Sequence, residues 1–320
     1  MFAKIIAAIS LIILYSSIVS AQDTPLSSAP NLETILSEAQ KQTDFYKDTF
    51  KNLLAVETKN FEEFDKNGTS DNTTSVKSDF LVYQSGKDAK FTAELRNVIE
   101  VDGKPVPNSQ KRSNEFLAEL GKEKTLESEL KKIQKEGSKY DETIEVYGLT
   151  LNEGVILAPN MRPFFDFRLV GKENYQDAEV FVISYQQTKK SPYNVVNGKE
   201  NFSGEASLFF DVDVPGALKK NDIFLRGKIW IDAKTFQIRR EEQELTVQTA
   251  EPLVLLTTRF EYQTSDYGIL VPKAIVVAFN ELKKQKGSDK FAVRKDTMVT
   301  FEYSKFRQTN VEVQILDDVD

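Results

Sequence analysis

Histidine and cysteine are both absent from this chain of 320 residues, and tryptophan occurs once. Without histidine there is no serine–histidine dyad. Without cysteine there is no thiol nucleophile, disulfide or thiol redox chemistry, and zinc loses its usual nitrogen and sulfur ligands. No glycine-rich phosphate cradle of the Walker or dinucleotide type occurs, and no segment spaces Asp and Asn as a calcium loop does. The expectation is therefore a protein that is not an enzyme and that uses no metal and no cofactor. Past the N-terminus no apolar run is long enough to cross a bilayer, so no transmembrane span is expected in the mature chain.

What the chain does have begins with a leader over residues 1–21: Lys4, an apolar run from Ile5 to Val19, and the small residues Val19-Ser20-Ala21. That is the pattern of a cleavable signal peptide, with cleavage after Ala21 and a periplasmic or secreted product. The lack of cysteine rules out a lipid-modified N-terminal cysteine and makes a stapled extracellular module a poor fit, so a bacterial origin is favoured. Losing the leader removes Lys4 and no acid, leaving 41 basic against 49 acidic residues, a charge near −8. Such a surface repels nucleic acid.

Residues 22–30 form a Pro- and Ser-containing spacer. From Asn31 as N-cap, Leu32, Ile35, Leu36 and Ala39, then Tyr46, Phe50, Leu53 and Leu54, recur at three and four residues and predict a long helix over 31–64. Lys66–Thr74 reads as a polar loop. Strands follow over 78–106, with Asp102-Gly103 as a hairpin turn, and then a second helical segment over 113–139 capped by Ser113. Residues 143–316 are strand-rich, and 317–320 form an acidic tail. Phe260 and Tyr262, Ile275, Val277 and Phe279, and Phe301 and Tyr303 occupy alternating positions on three successive strands and present one apolar face. Short connections favour a meander. The expected fold is a single α+β domain over 31–316, a large curved antiparallel sheet forming an open, incomplete barrel, with its apolar face covered by the two helices.

The enzymatic alternative without histidine is a carboxylate pair, as in glycoside hydrolysis. Glu241, Glu242 and Glu244, or Asp211 and Asp213, could supply one, but 49 acids make such clusters expected by chance. Phenylalanine and tyrosine together number 33, and their alternation fits either a packed core or the lining of a hydrophobic cavity.

The segment Gly227–Arg240 reads Trp230-x-Asp232-x-x-Thr235-x-x-x-x-Arg240. It resembles a hairpin of the periplasmic lipoprotein carriers of the Lol type. More of the chain resembles a functionally unassigned group of exported bacterial proteins of acidobacterial type. The matching stretches are Ser78-Asp79-Phe80-Leu81, Asn97–Val106 and Tyr303-Ser304-Lys305-Phe306-Arg307. The resemblance implies an open sheet wrapped round helices with an apolar cavity, and a non-enzymatic carrier for a lipid or other hydrophobic ligand. Phe260, Tyr262, Ile275, Val277, Phe279, Phe301 and Tyr303 would line that cavity. The alternative is a cell-envelope scaffold that binds a protein partner around a solid core.

Overall fold

A computed structural model of the protein describes residues 30–51, 53–85, 91–109, 111, 112, 114, 115, 149–198 and 206–308. The expected leader, the spacer before Pro30, the second helix past Glu115 and the acidic tail lie outside the described residues. Leu32–Asp320 is one compact unit.

Helix α1, Leu32–Phe50, buries Ile35, Leu36, Ala39, Thr43, Tyr46 and Phe50 at the spacing of one helical face. It stops well short of the expected residue 64. From Leu53 the chain is strand β1, Leu53–Phe64, whose odd-numbered residues point to the covered side. Leu53 and Leu54 continued the helical spacing by coincidence. The alternation that follows was masked because two covered positions hold Glu57 and Lys59 rather than apolar residues.

Strand β2 runs Ser70–Ser85, so only residues 65–69 form the turn and Ser70–Thr74 is strand, contrary to the loop expected there. Asp65 builds that turn by accepting from the backbone N–H of Asn67 and Thr69. Strand β3, Phe91–Val101, meets the short β4, Lys104–Pro105, through Asp102 and Gly103. Both turn residues have positive φ, as a two-residue hairpin requires. The remaining strands are β5 (Phe165–Tyr175), β6 (Ala178–Gln187), β7 (Asn194–Val196), β8 (Leu208–Phe210), β9 (Ile223–Asp232), β10 (Ile238–Val247), β11 (Leu253–Gln263), β12 (Val271–Lys284) and β13 (Phe291–Gln308).

Eleven strands join in the order β4-β3-β2-β1-β13-β12-β11-β10-β9-β6-β5, and β7 and β8 form a small parallel pair. Neighbours in the large sheet are all antiparallel. The meander β9 to β13 meets the meander β1 to β4 where β13 pairs with β1. The sheet is open, with β4 and β5 at its edges, and bulges interrupt most pairings, which bends and twists the strands. β4 and β5, which the intervening chain joins, lie at opposite edges of the sheet. The described end of that intervening chain is a strap of three 3-10 turns, Leu149–Leu151, Val155–Leu157 and Arg162–Phe164. The strap and α1 share the covered face, and one core joins Ile156, Leu157 and Met161 of the strap to Phe50, Phe80, Phe260 and Phe301. No helix among the described residues is long and apolar enough to cross a membrane.

Candidate functional site

Register brings the residues singled out in the sequence together on the covered face. Phe260 opposes Ile275, Ile275 opposes Phe301, and Val277 opposes Val299. Phe260, Tyr262, Ile275, Val277, Phe301 and Tyr303 are buried, and Phe279 is half-buried against them. Helix α1 supplies the opposing surface. The Tyr46 ring meets Tyr262 edge-on at 6.1 Å, Phe50 approaches Phe80 at 6.5 Å, and Phe80 packs on Tyr303 at 5.3 Å. Burying a side chain of this size contributes roughly 2 kcal/mol. In this state α1 and the strap occupy the space over these residues.

Two clusters of charged residues also sit on the covered face. In the first, Glu57 of β1 and Glu94 and Arg96 of β3 are all buried. Arg96 donates to both oxygens of Glu57, at 2.6 and 2.8 Å, and to Glu94 at 3.0 Å. Its guanidinium lies 5.0 Å from the Phe80 ring. The other oxygen of Glu94 accepts from the Thr150 backbone N–H at 2.9 Å and from its hydroxyl at 2.7 Å. The Thr150 carbonyl accepts from Tyr46 at 2.9 Å, so this one residue of the strap ties α1 to β3.

In the second cluster, Glu241 of β10 is fully buried beside Phe260. Its carboxylate accepts from Gln243 at 2.9 Å, Tyr185 at 3.1 Å and the Gly154 backbone N–H of the strap at 3.2 Å. Gly227 makes the Tyr185 contact feasible, because a Cβ there would stand 2.5 Å from the Tyr185 hydroxyl. Gly154 adopts φ +55°, and a Cβ would meet Thr43 Oγ1 and Ile238 Cδ1, each at 2.7 Å. Glu153, next in the strap, is buried, and among the described residues its Oε2 has no hydrogen-bond partner, nor do the buried hydroxyls of Tyr262 and Thr43.

The two clusters differ electrostatically. Burial pushes the Glu57 carboxyl up, but the charge and hydrogen bonds of Arg96 outweigh it and hold the group below its usual range. At Glu241 burial wins over the hydrogen bonds it accepts, and its pKa rises to about 7. Burial and then the Glu241 charge push Glu153 well above the ordinary carboxylate value, with Lys47 opposing. Lys47 is itself lowered by burial.

The acids considered for hydrolysis separate in space. Glu241 faces the core, whereas Glu242 pairs with Arg240 and Glu244 pairs with Arg226 on the open face. Together with Asp166, Arg168 and Lys228 they border a shallow depression of about 570 Å³. Asp211 and Asp213 are exposed. Trp230 also lies on the open face, where its N–H donates to Glu173 at 2.7 Å, the Arg240 guanidinium stacks 4.9 Å from its ring, and Val180 and Val182 pack beside it. Asp232 fixes the hairpin by accepting from the backbone N–H of Lys234 and Thr235 and from Arg239. Among the described residues no group of three or more acids gathers to hold a metal ion.

The charged clusters are what sequence reasoning missed. The signal was parity: Glu241 and Gln243 share the phase of Leu245 and Val247, Glu57 that of Ala55 and Phe61, and Glu94 and Arg96 that of Val98.

No protein-family model and no curated protein matches the chain. Solved structures with a similar course include a DUF1329 family protein from Desulfovibrio piger, at TM-score 0.37 and 10% identity, covering 87% of this chain and 93% of that one. A LolA superfamily protein from Nitrosomonas europaea follows at 0.34 and 9%, covering 88% and 95%. A domain described as an outer membrane lipoprotein-sorting protein, from Vibrio parahaemolyticus, stands at 0.31 and 10%, covering 85% and 94%. No residue correspondence follows from likenesses of this degree.

Proposed function

We propose that the protein is a non-enzymatic carrier or binding protein of the periplasm or cell exterior, and that it takes a lipid or other hydrophobic molecule onto the covered face of its sheet. On this reading the described state is the empty one, filled by the protein's own α1 and strap. The observation that carries it is the seating of that cover. It lies on an apolar face, hangs from the sheet through Glu94 and Glu241, and leaves Glu153 Oε2 and the Tyr262 and Thr43 hydroxyls buried without partners among the described residues. Unpartnered buried polar atoms each cost about 1–3 kcal/mol, so the cover gives up part of what its apolar contacts gain. A hydrophobic ligand can replace those contacts while the displaced polar groups return to water. Phe260, Tyr262, Ile275, Val277, Phe279, Phe301 and Tyr303 would then form the ligand's wall.

Native mass spectrometry of protein taken from its own envelope, with uptake of a fluorescent fatty acid as a second readout, tests the proposal. A bound apolar mass and saturable uptake are expected. A ligand-free mass with no saturable uptake would sink it.

One observation favours a second reading, an envelope scaffold with a permanently solid core: the proposed wall residues are already packed by rings of α1. That reading predicts crosslinking of one specific envelope protein to the open face and no change in α1 exposure when lipid is added.

A further inference from the structure

Charge is interspersed over most of this acidic chain, but one feature breaks the pattern. Between Leu282 and Lys295 stand Lys283, Lys284, Lys286, Lys290, Arg294 and Lys295 against a single acid, Asp289, in a chain whose formal charge is −7. Among the described residues this stretch also pairs beyond the neighbouring strands, while Leu282 stays buried in the core and Phe291 packs against it. β1 pairs with β13 only as far as Thr297, and the pairing of β11 with β12 ends at Phe279. Beyond those points the rungs from Asn280↔Lys295 to Lys284↔Phe291 pair only with each other.

The result is a two-stranded finger. Five rungs of strand reach about 17 Å before the turn is counted. The turn is ordered by backbone bonds between Gln285 and Lys290 and between Ser288 and Gln285, with Gly287 at φ +74°. Lys284 is paired with Asp289, while Lys283 and Arg294 both reach Glu281 at the finger's base. Among the described residues Lys286 and Lys290 are exposed at the tip without an acid partner. Val293 lies on the adjoining strand with 45% of its surface in solvent.

A lysine-rich stretch is ordinarily a solvated surface. Here two features act together: the cations are gathered on an ordered hairpin that is seated on the core through Leu282 and Phe291, and its turn presents the exposed Lys286 and Lys290 near an exposed apolar side chain, Val293. We propose that this finger docks the protein on an anionic phospholipid surface, with the lysines at the phosphates and Val293 entering the headgroup layer. Lysine suits that partner because a compact ammonium on a flexible stem contacts phosphate without demanding fixed geometry, whereas a specific acidic protein would favour bidentate arginine. At physiological ionic strength charges are screened over about 8 Å, so the exposed lysines of the turn govern the encounter with an anionic surface at close range. The protein would therefore approach turn first. This docking goes beyond ligand carriage and holds whether or not the covered face takes a ligand.

Co-sedimentation of the purified full chain with phosphatidylcholine vesicles, with and without phosphatidylglycerol, tests the proposal. Binding to the anionic vesicles only is expected, with loss in high salt. Lys286→Glu with Lys290→Glu should weaken it by about tenfold or more, since each basic residue near an anionic surface contributes several-fold. The same charge change at the exposed Lys219 and Lys220 should leave binding within about twofold, and Val293→Ser, which removes apolar surface without adding charge, should weaken it without altering the salt dependence. Circular dichroism checks that each variant remains folded. Equal binding to both vesicle types, no binding to either, or a finger variant that binds like the parent would overturn the proposal. So would capture of an acidic protein through the finger in the absence of any vesicle binding.

Discussion

The two charged clusters under the cover use the same device in opposite states of compensation. At the first, Arg96 lies between Glu57 and Glu94 and satisfies both while Glu94 holds Thr150. At the second, Glu241 holds Gly154 with no bonded cation among the described residues, and Glu153 adds a second carboxylate beside it. One end of the strap is thus anchored by a neutralised network, whereas the other is held by a hydrogen bond to a group that resists ionisation. A buried charge partnered by hydrogen-bonded opposite charge is a fixed feature. A buried carboxylate without one couples its attachment to pH.

The largest effect should come from breaking the compensated cluster. Arg96→Met leaves Glu57 and Glu94 buried without their cation and should cost about 3–5 kcal/mol, read as a fall in the urea midpoint. The loss should shrink toward acid pH as Glu57, whose carboxyl Arg96 holds below its usual range, takes up a proton.

Next is the route by which Tyr185 reaches Glu241. Gly227→Ala places a Cβ 2.0 Å from the Glu242 carbonyl oxygen and 2.5 Å from the Tyr185 hydroxyl. Unfolding measurements should show a loss of roughly 3 kcal/mol, because backbone and not a flexible side chain must move.

Removing the charge of the second cluster should act in the other direction. The folded pKa of Glu241, about 7, exceeds its unfolded value of 4.5. The stabilisation from its bound proton is therefore fully present below about pH 4.5 and is lost as pH rises through about 7. Glu241→Gln should make the protein more stable than the parent at pH 8, by roughly 2 kcal/mol, and the difference should close toward pH 5. Parallel melts across that range give the answer; a Gln variant with the parent's pH slope would refute the assignment.

The smallest effect belongs to the unpartnered hydroxyl. Tyr262→Phe removes a buried polar atom that has no partner, so stability should be unchanged or rise by up to about 1 kcal/mol. A clear loss would mean that the Tyr262 hydroxyl is satisfied in solution, which would weaken the case for a strained cover.

Much of the architecture was legible because apolar side chains follow backbone period. The α1 face reads at helical spacing, β3 reads between Phe91 and the Asp102-Gly103 turn, and Phe260, Ile275 and Phe301 read as one face. Legibility failed where covered positions are charged. Glu57 and Lys59 disguised β1 as a continuation of α1, and Glu241 looked like one of three neighbouring surface acids, although alternation separates it from Glu242 and Glu244. Trp230, read as part of a hairpin motif, forms an open-face patch with Val180, Val182 and Arg240.

By itself the sequence determined the absence of histidine and thiol chemistry, the alternation of the strands and the concentration of lysine between Leu282 and Lys295, because these depend on residue identity and local spacing. Tertiary structure alone decided that Arg96 meets Glu57 and Glu94, that Glu241 meets Gly154, and that the lysine-rich hairpin extends past its neighbours. Those contacts join residues far apart in the chain, and their partners are set by strand order and register, which local preference does not encode.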